Sequence, residues 1–431
     1  MIIEFSVSNF RSIRDEARLS FVATTDKELA ASNLIETGLL AAPRITRSAV
    51  IYGANASGKS NLILAFLDLK SLVASSFTGM KPGQPFGFQP FKLELASVIK
   101  PTELEVTFVL NGIRHQYGCA FNAERITEEW LHVYVNPKPQ AWFYRKFDVD
   151  ANEDKYTYSN HLKGDKEFWQ KTTRPNALFL STAAQLNSEQ LLPIYRWFSE
   201  KLVVLPIGSS FTPDQTVNCL QNESLRNKVV GLITAADVGI NDVSVSLVKR
   251  LGVQQNFKLN EDGTIESTRE DREVMVMTPL FTHRSGDRAV AFELGQESQG
   301  TQRFFNLIGP IIDILQNGKT LIVDELDSSL HPLLVRRIIE MFHNPDLNTQ
   351  GAQLLFTTHD TSLLDASGLL RRDQVWFTEK AADHATTLTS LTEFSPRKGE
   401  ALERGYLMGR YGAVPMLDSF SSALKKSAEH S

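Results

Sequence analysis

Eight consecutive residues, Gly53-Ala54-Asn55-Ala56-Ser57-Gly58-Lys59-Ser60, fit the pattern G-x-x-x-x-G-K-[ST]. Glycines in such a run let the backbone turn several N–H groups toward one point, where they can hold phosphate oxygens. A helix starting at the same place adds the favourable end of its dipole for an anion. Lys59 is then the compact positive charge for the β- and γ-phosphates, and Ser60 offers its hydroxyl to Mg²⁺. Asn61 follows at the head of the helix. The flanks agree with this reading. Ser48-Ala49-Val50-Ile51-Tyr52 is an apolar strand running into the loop, and Asn61–Ser75 places Leu62, Ala65, Phe66 and Leu69 on one helical face. An accidental glycine-rich turn would not carry both flanks, so ATP with Mg²⁺ is the expected ligand.

A second pattern supplies acid. Thr320-Leu321-Ile322-Val323 is an apolar run ending in Asp324-Glu325, and open α/β sheets bind ligands at that edge. Asp324 would belong to the Mg²⁺ shell, and Glu325 would orient or deprotonate the attacking water. Taken alone, a strand ending in Asp-Glu is a common surface turn; downstream of a phosphate loop it reads as catalytic. Leu326-Asp327-Ser328-Ser329-Leu330-His331-Pro332 follows, and a further apolar strand, Gln353–Thr357, leads into Thr358-His359-Asp360. A lone histidine is more often a satisfied core or surface residue. Its place after the strand that follows the acids makes His359 a site candidate. Upstream, Glu297-Ser298-Gln299-Gly300-Thr301-Gln302-Arg303 opens a helix with a Ser-x-Gly turn that would aim N–H groups and a hydroxyl at an anion. Gly53–Ser60 already serves the phosphates, so a second cradle makes most sense acting on the nucleotide of a second protomer.

In this order the motifs resemble the Walker A, signature, Walker B, D-loop and switch histidine of ABC-type ATPases. Ser298-Gln299-Gly300 is similar to the divergent signature of SMC-like and overcoming-lysogenization-defect (OLD) heads. Phe5-x-Val7-x-Asn9-Phe10-Arg11-Ser12 resembles their first strand and turn. The resemblance implies that Arg11 and Ser12 lie near the nucleotide, that Asp327 is the D-loop acid, and that Gln89 bridges Mg²⁺ and water, with Gln84 as the other glutamine of that loop. It also implies a homodimer, or a higher homo-oligomer of paired heads, with two ATP molecules sandwiched between them. The run Asp373–Lys380, then Phe394–Glu400, then Tyr406–Pro415, resembles the ATPase component of RloA/AbiL-type abortive-infection systems within the AAA-15/AAA-21 group. PARIS, Septu and retron-linked ATPases share that head. On this resemblance the chain is a sensor or regulator in anti-phage defence. A separate effector, such as a TOPRIM-type nuclease, would be its partner, and DNA, RNA or a phage protein its trigger.

Two other classes compete. A DNA-repair or SMC-like ATPase gripping nucleic acid directly usually projects long coiled coils, and sustained heptads are absent here. A transporter ATPase is disfavoured by the large region between Walker A and the signature and by the lack of partner-coupling sequence. The OLD proteins carry a TOPRIM domain after the head, for which the stretch of about seventy residues after His359 is expected to be too short. Arg410, in Gly409-Arg410-Tyr411-Gly412, reads equally as a phosphate or partner contact and as part of a structural turn. The scattered Lys70, Lys81, Lys163, Lys166 and Lys171 read as solvated surface. Trp130, Phe143, Trp169 and Trp197 read as core. Glu128, Glu129, His132, Asp383 and His384 have no metal or nuclease spacing.

The elements that must position these groups follow from composition and pattern. The 431 residues are 42% hydrophobic and 22% charged, with a net charge of −5, an ordinary globular balance that excludes a generally basic nucleic-acid coat. Cys119 and Cys219, the two cysteines, read as reduced thiols. No secretory leader is visible, and no run approaches the roughly 18 apolar residues of a membrane helix. The expectation is a cytoplasmic protein without membrane contact. Strand-like runs fill Met1–Val22 and 91–134, with a hairpin signal at Asn111-Gly112. Residues Lys163–Val230 read as helical, and Gly239–Thr278 as short strands with polar turns. The expected fold is an α/β P-loop NTPase of the ABC head type, a mixed sheet with an antiparallel β region and an inserted helical lobe. Expected boundaries are an N-terminal lobe at 1–150, a largely helical insertion at 151–290, a C-terminal ATPase lobe at 291–417 and a flexible tail at 418–431.

Overall fold

The computed structural model describes residues 1–135, 138–236, 239–259, 265–365, 368–397 and 399–414. The expected tail at 418–431, and Lys398 and Pro415 of the C-terminal run, lie outside them. In chain order the strands are β1 (Ile2–Ser8), β2 (Ala17–Ser20), β3 (Leu34–Glu36), β4 (Arg44–Thr46), β5 (Ser48–Gly53), β6 (Thr102–Leu110), β7 (Ile113–Phe121), β8 (Ile126–Tyr134), β9 (Gln140–Asp148), β10 (Glu153–Tyr158), β11 (Leu202–Leu205), β12 (Ile240–Leu259), β13 (Ile265–Ser285), β14 (Arg288–Glu293), β15 (Thr320–Val323), β16 (Gln353–Thr357), β17 (Val375–Lys380) and β18 (Thr386–Ser390).

The chain divides into two compact units. The first comprises Met1–Ser209, Ile314–Ser328 and Val335–Ser431. It holds a seven-stranded antiparallel sheet, ordered β10-β9-β8-β7-β6-β1-β2, and a six-stranded sheet, ordered β11-β15-β16-β5-β17-β18. Every neighbouring pair in the second sheet is parallel except β17–β18. This is the expected mixed α/β arrangement of a P-loop head. All six residues of β5 are buried, as in a strand covered on both faces. At the β6–β7 turn, Asn111 and Gly112 both take the left-handed backbone, with φ of 52° and 72°, which a two-residue hairpin turn of matching twist requires. One hydrophobic core joins side chains of both sheets to the helix Lys59–Ser75. Phe66 of that helix stacks on Phe5 of β1 with ring centroids 3.6 Å apart.

A buried acid ties the inserted segment to the antiparallel sheet. Glu129 of β8 accepts hydrogen bonds from the N–H groups of Phe179 (2.6 Å) and Leu180 (2.9 Å) at the start of the helix Phe179–Gln185, and from the Tyr117 hydroxyl at 3.0 Å. Arg145, equally buried and 3.9 Å away, donates to Asp154 at 2.9 Å and to the Ala177 carbonyl at 2.7 Å. Both Glu129 oxygens are thus bonded, while Arg145 Nε and Asp154 Oδ1 remain buried without a hydrogen-bond partner.

The expected boundaries need correction. Residue 150 falls in the turn between β9 and β10, two strands of one sheet. β11, inside the supposed insertion, is an edge strand of the parallel sheet, paired with β15. Residues 151–290 contain helices as far as Glu223–Ala236 but are not largely helical, because most of the described residues from Ile240 to Val290 lie in strands.

The second unit, Ser210–Asp313 with Ser329–Leu334, carries the three-stranded sheet β12-β13-β14. β12 and β13 pair from Ile240↔His283, with a register shift before Asp242, to Leu259↔Ile265, whereas β14 reaches only Leu280–Ser285 of β13. The remainder is a two-stranded ribbon. A cross-strand ion pair, Lys249–Glu273 at 2.9 Å, supports it among exposed apolar residues such as Leu247, Leu251 and Met275, and Arg250 pairs with Glu293 of β14 at 2.5 Å. Charges interrupt the apolar alternation there, so the sequence reads as short strands instead of one long pair. In the helix Gln299–Asn317, which contains Pro310, the Thr216 hydroxyl accepts from the Gly309 N–H at 3.0 Å and donates to the Phe305 carbonyl at 2.7 Å. It stands in for the ladder bond between those two residues.

Candidate nucleotide-binding site

The phosphate loop is shaped by what lies behind it. A Cβ on Gly53 would sit 2.4 Å from the Thr378 hydroxyl of β17, and one on Gly58 would sit 2.3 Å from the Thr386 hydroxyl of β18. Gly58 also has φ of +115°, so both sterics and backbone demand glycine there. The Ser57 hydroxyl meets that of Thr378 at 2.7 Å, and the Thr386 hydroxyl donates to the Ser57 carbonyl at 2.8 Å. Ala56, with φ of 63°, completes the tight turn. The loop is therefore clamped to the β17–β18 hairpin and leads directly into Lys59–Ser75. That helix presents free backbone N–H groups at its N-terminus.

Lys59 is buried and folds back, its ammonium donating to the carbonyls of Gly53 (2.8 Å) and Ala54 (3.2 Å). Burial lowers its pKa, while the charges of Asp324, Glu325 and Asp327 pull the other way. Those acids act on the loop lysine although β16 separates β15 from β5. Ser60 follows in the first helical turn, half-buried.

Asp324, 3% exposed, closes β15. One carboxylate oxygen accepts from the Thr357 hydroxyl at 2.6 Å; the other, Oδ2, is buried with no hydrogen-bond partner. A buried carboxylate oxygen left bare next to a phosphate loop fits a divalent cation, which would satisfy it. Asp324 and Ser60 are the residues that would hold Mg²⁺. Glu325 adopts φ of 54°, an uncommon backbone for a residue other than glycine. Its carboxylate lies 3.8 Å from His359 Nε2, and the His359 N–H donates to Asp327 at 3.2 Å. The structure thus brings Lys59, Asp324, Glu325, Asp327 and His359 together at the ends of three strands.

Arg11, Ser12, Asn61 and Gln89 gather on another side of the loop. Asn61 donates to the Ser12 hydroxyl at 2.6 Å, that hydroxyl meets Thr386 Oγ1 at 2.8 Å, and the Arg11 N–H donates to the Gln89 carbonyl at 2.7 Å. Together they line an open cavity of about 360 Å³. Ser298 and Gly300 belong to the other unit. The Ser298 hydroxyl accepts from the Thr301 N–H at 3.1 Å, capping the helix Gln299–Asn317. Gly300 lies against the Ser329 carbonyl, 3.2 Å from where a Cβ would be; Gln299 is exposed.

Sequence reasoning missed Thr357, Thr378 and Thr386. Each is a buried strand threonine, the last residue of β16, the fourth of β17 and the first of β18, and nothing local distinguishes such threonines from ordinary strand formers. Arg410 pairs with Glu400, which favours its structural reading.

By fold and site this is a P-loop protein of the AAA ATPase class. It belongs to the AAA domain family described as "AAA domain, putative AbiEii toxin, Type IV TA system", whose model matches residues 48–365, from β5 past His359. No curated protein matches the chain. Among solved structures it is similar to the SmcHead bound to the C-winged helix domain of ScpA, at 11% identity, over 90% of this chain and 97% of that one, with a TM-score of 0.39. No helix among the described residues is long and apolar enough to cross a membrane.

Proposed function

We propose that the chain binds and hydrolyses Mg·ATP and works as an ATP-driven sensor or regulator in anti-phage defence, acting on a separate effector such as a nuclease. The observation that carries the enzymatic part is the bare, buried Asp324 Oδ2 beside Lys59 and Glu325. Lys59 turns from the Gly53 and Ala54 carbonyls to the β- and γ-phosphates. Asp324 and Ser60 hold Mg²⁺, which when bound neutralises charge on the phosphates. Glu325 orients the attacking water and takes its proton, and His359 borders the same space. Catalysis of this kind is mostly positioning and charge neutralisation. Two heads pair so that Ser298, Gln299 and Gly300 of one chain face the nucleotide of the other. Closure follows ATP binding, and hydrolysis reopens the pair. The defence role rests on the family's description as a putative toxin of a toxin–antitoxin system and on the C-terminal run.

The test has two arms. Purified protein should release phosphate from Mg·ATP. Cells carrying the gene with its neighbours should resist phage, and the Lys59→Ala gene should not protect. ATP turnover without any change in phage plating would remove the defence role and leave the ATPase. Turnover stimulated by DNA in the absence of any effector would favour the repair or SMC-like reading.

A further inference from the structure

The cavity beside Asn61 lies at the junction of two parts of the chain that the phosphate loop alone does not require. One is the turn after β1, carrying Arg11 and Ser12. The other is the turn between β17 and β18, carrying Lys380 and His384 at the cavity wall. One residue of the second turn, Thr386, reaches both the first turn and the loop. Thr386 donates its N–H to the Ser12 carbonyl at 2.7 Å, shares a hydroxyl contact with Ser12 at 2.8 Å, and donates its own hydroxyl to the Ser57 carbonyl at 2.8 Å. Within the turn, His384 is held with φ of +63°, a conformation that costs energy for a residue with a Cβ. Three contacts keep it so: the His384 N–H to the Ala381 carbonyl at 2.9 Å, Lys380 Nζ to the His384 carbonyl at 2.8 Å, and the ion pair of Asp383 with Arg14.

The lining has a consistent chemistry. Arg11 and Lys380 are donors only, Asn61 and Gln89 offer amides that donate and accept, and His384 offers an imidazole. Arg11 Nε is buried without a hydrogen-bond partner. At about 360 Å³ the space is at the small end of ligand pockets. It opens beside the residue that follows Ser60, where whatever is attached to the phosphates must emerge.

We propose that the β17–β18 turn forms the nucleoside-side wall of the nucleotide site, with Lys380 and His384 contacting the ribose and base and Thr386 coupling that wall to the phosphate loop. The proposal rests on the reading of Gly53–Ser60 as the phosphate site. It makes nucleotide choice a property of a turn more than 300 residues away in sequence from the loop it serves. Thr386 is a positioning residue; Lys380 and His384 are the specificity contacts.

The experiment measures binding of Mg·ATP, Mg·GTP and magnesium tripolyphosphate to the wild type, Lys380→Met and His384→Gly. Glycine suits the positive φ, so that second variant keeps the turn. Wild type should bind ATP at least tenfold more tightly than tripolyphosphate. Each variant should lose about tenfold in ATP affinity, a change of about 1.4 kcal/mol, and should shift the ATP-to-GTP ratio while keeping tripolyphosphate affinity. Unchanged ATP binding in both variants overturns the proposal, as does a parallel fall in ATP and tripolyphosphate binding. A wild type that binds neither ATP nor tripolyphosphate would instead overturn the phosphate site itself.

Discussion

Thr357 and Asp324 are joined by a 2.6 Å hydrogen bond, and the same threonine oxygen receives the Glu325 N–H at 2.7 Å. One hydroxyl at the end of β16 therefore fixes both acids of β15. It leaves Asp324 a single bare oxygen, and it holds Glu325 in its left-handed backbone.

Removing that hydroxyl should separate positioning from chemistry. Thr357→Val leaves the Glu325 N–H without its bond, at a cost of about 1–3 kcal/mol, and frees the Asp324 carboxylate to rotate. ATP should still bind, and turnover should fall by roughly tenfold to a hundredfold. Glu325→Gln should bind ATP as tightly as wild type but turn over far more slowly, with closed pairs accumulating. Wild-type turnover in Glu325→Gln, measured together with its elution volume in ATP, would remove Glu325 from the role of base.

Lys59→Ala should weaken ATP binding by about tenfold to a hundredfold, the range for a lost charge-assisted hydrogen bond. Equilibrium titration with a fluorescent ATP analogue reads this directly. Melting temperature should hardly fall, because the buried ammonium is there at some desolvation cost and alanine suits the first turn of a helix.

Gly300→Asp tests the pairing of heads. It places a carboxylate where a signature turn would face phosphate, so the variant should bind ATP through its own loop yet neither close nor hydrolyse. The nearby Ser329 carbonyl makes the position tight, so circular dichroism must first show a folded chain. Mixing Gly300→Asp with Lys59→Ala should then restore part of the turnover, since one of the two composite sites is intact. A Gly300→Asp protein that pairs and hydrolyses like wild type would reduce Glu297–Arg303 to a helix cap.

Acid should destabilise the fold through a buried imidazole. His343 is bonded to Ser48 at 2.8 Å, and burial, helped by the charge of Arg47, lowers its pKa to about 3. The unfolded chain takes up a proton there near pH 6.5, whereas the folded one resists. Stability is therefore full above about pH 6.5 and is lost as pH falls toward 3, by up to about 3 kcal/mol at pH 4. His115, lowered by burial to about 4, adds to the loss in the same window. Urea midpoints between pH 7 and 4 should track this, and His343→Gln should flatten the slope.

The parts of the site legible in sequence were those written contiguously: Gly53–Ser60 with its strand and helix, and Asp324-Glu325 at the end of an apolar run. A strand, a turn and a helix start must lie side by side in the chain to make a phosphate loop, so their neighbours in space are also neighbours in sequence. The clamp could not be read this way. Thr378 and Thr386 act through glycines more than 300 positions upstream, and a threonine in a strand signals β-propensity before anything else. The strand β11 hid inside a helical stretch because four residues, Leu202–Leu205, carry too little pattern to separate a short buried strand from helix.

The ribbon of β12 and β13 has a consequence for its own length. Lys249 lies opposite Met275 and Arg250 opposite Val274, with Val248 opposite Val276 before them and Leu251 opposite Glu273 after. Side chains alternate with a period of two, so excising residues two at a time from each strand brings the outer segment inward without exchanging its faces. Taking out one residue per strand would invert every position beyond the cut. The arm is thus a ruler graduated in steps of about 6.8 Å, which can be shortened or lengthened by whole graduations while the sheet at its base keeps its register.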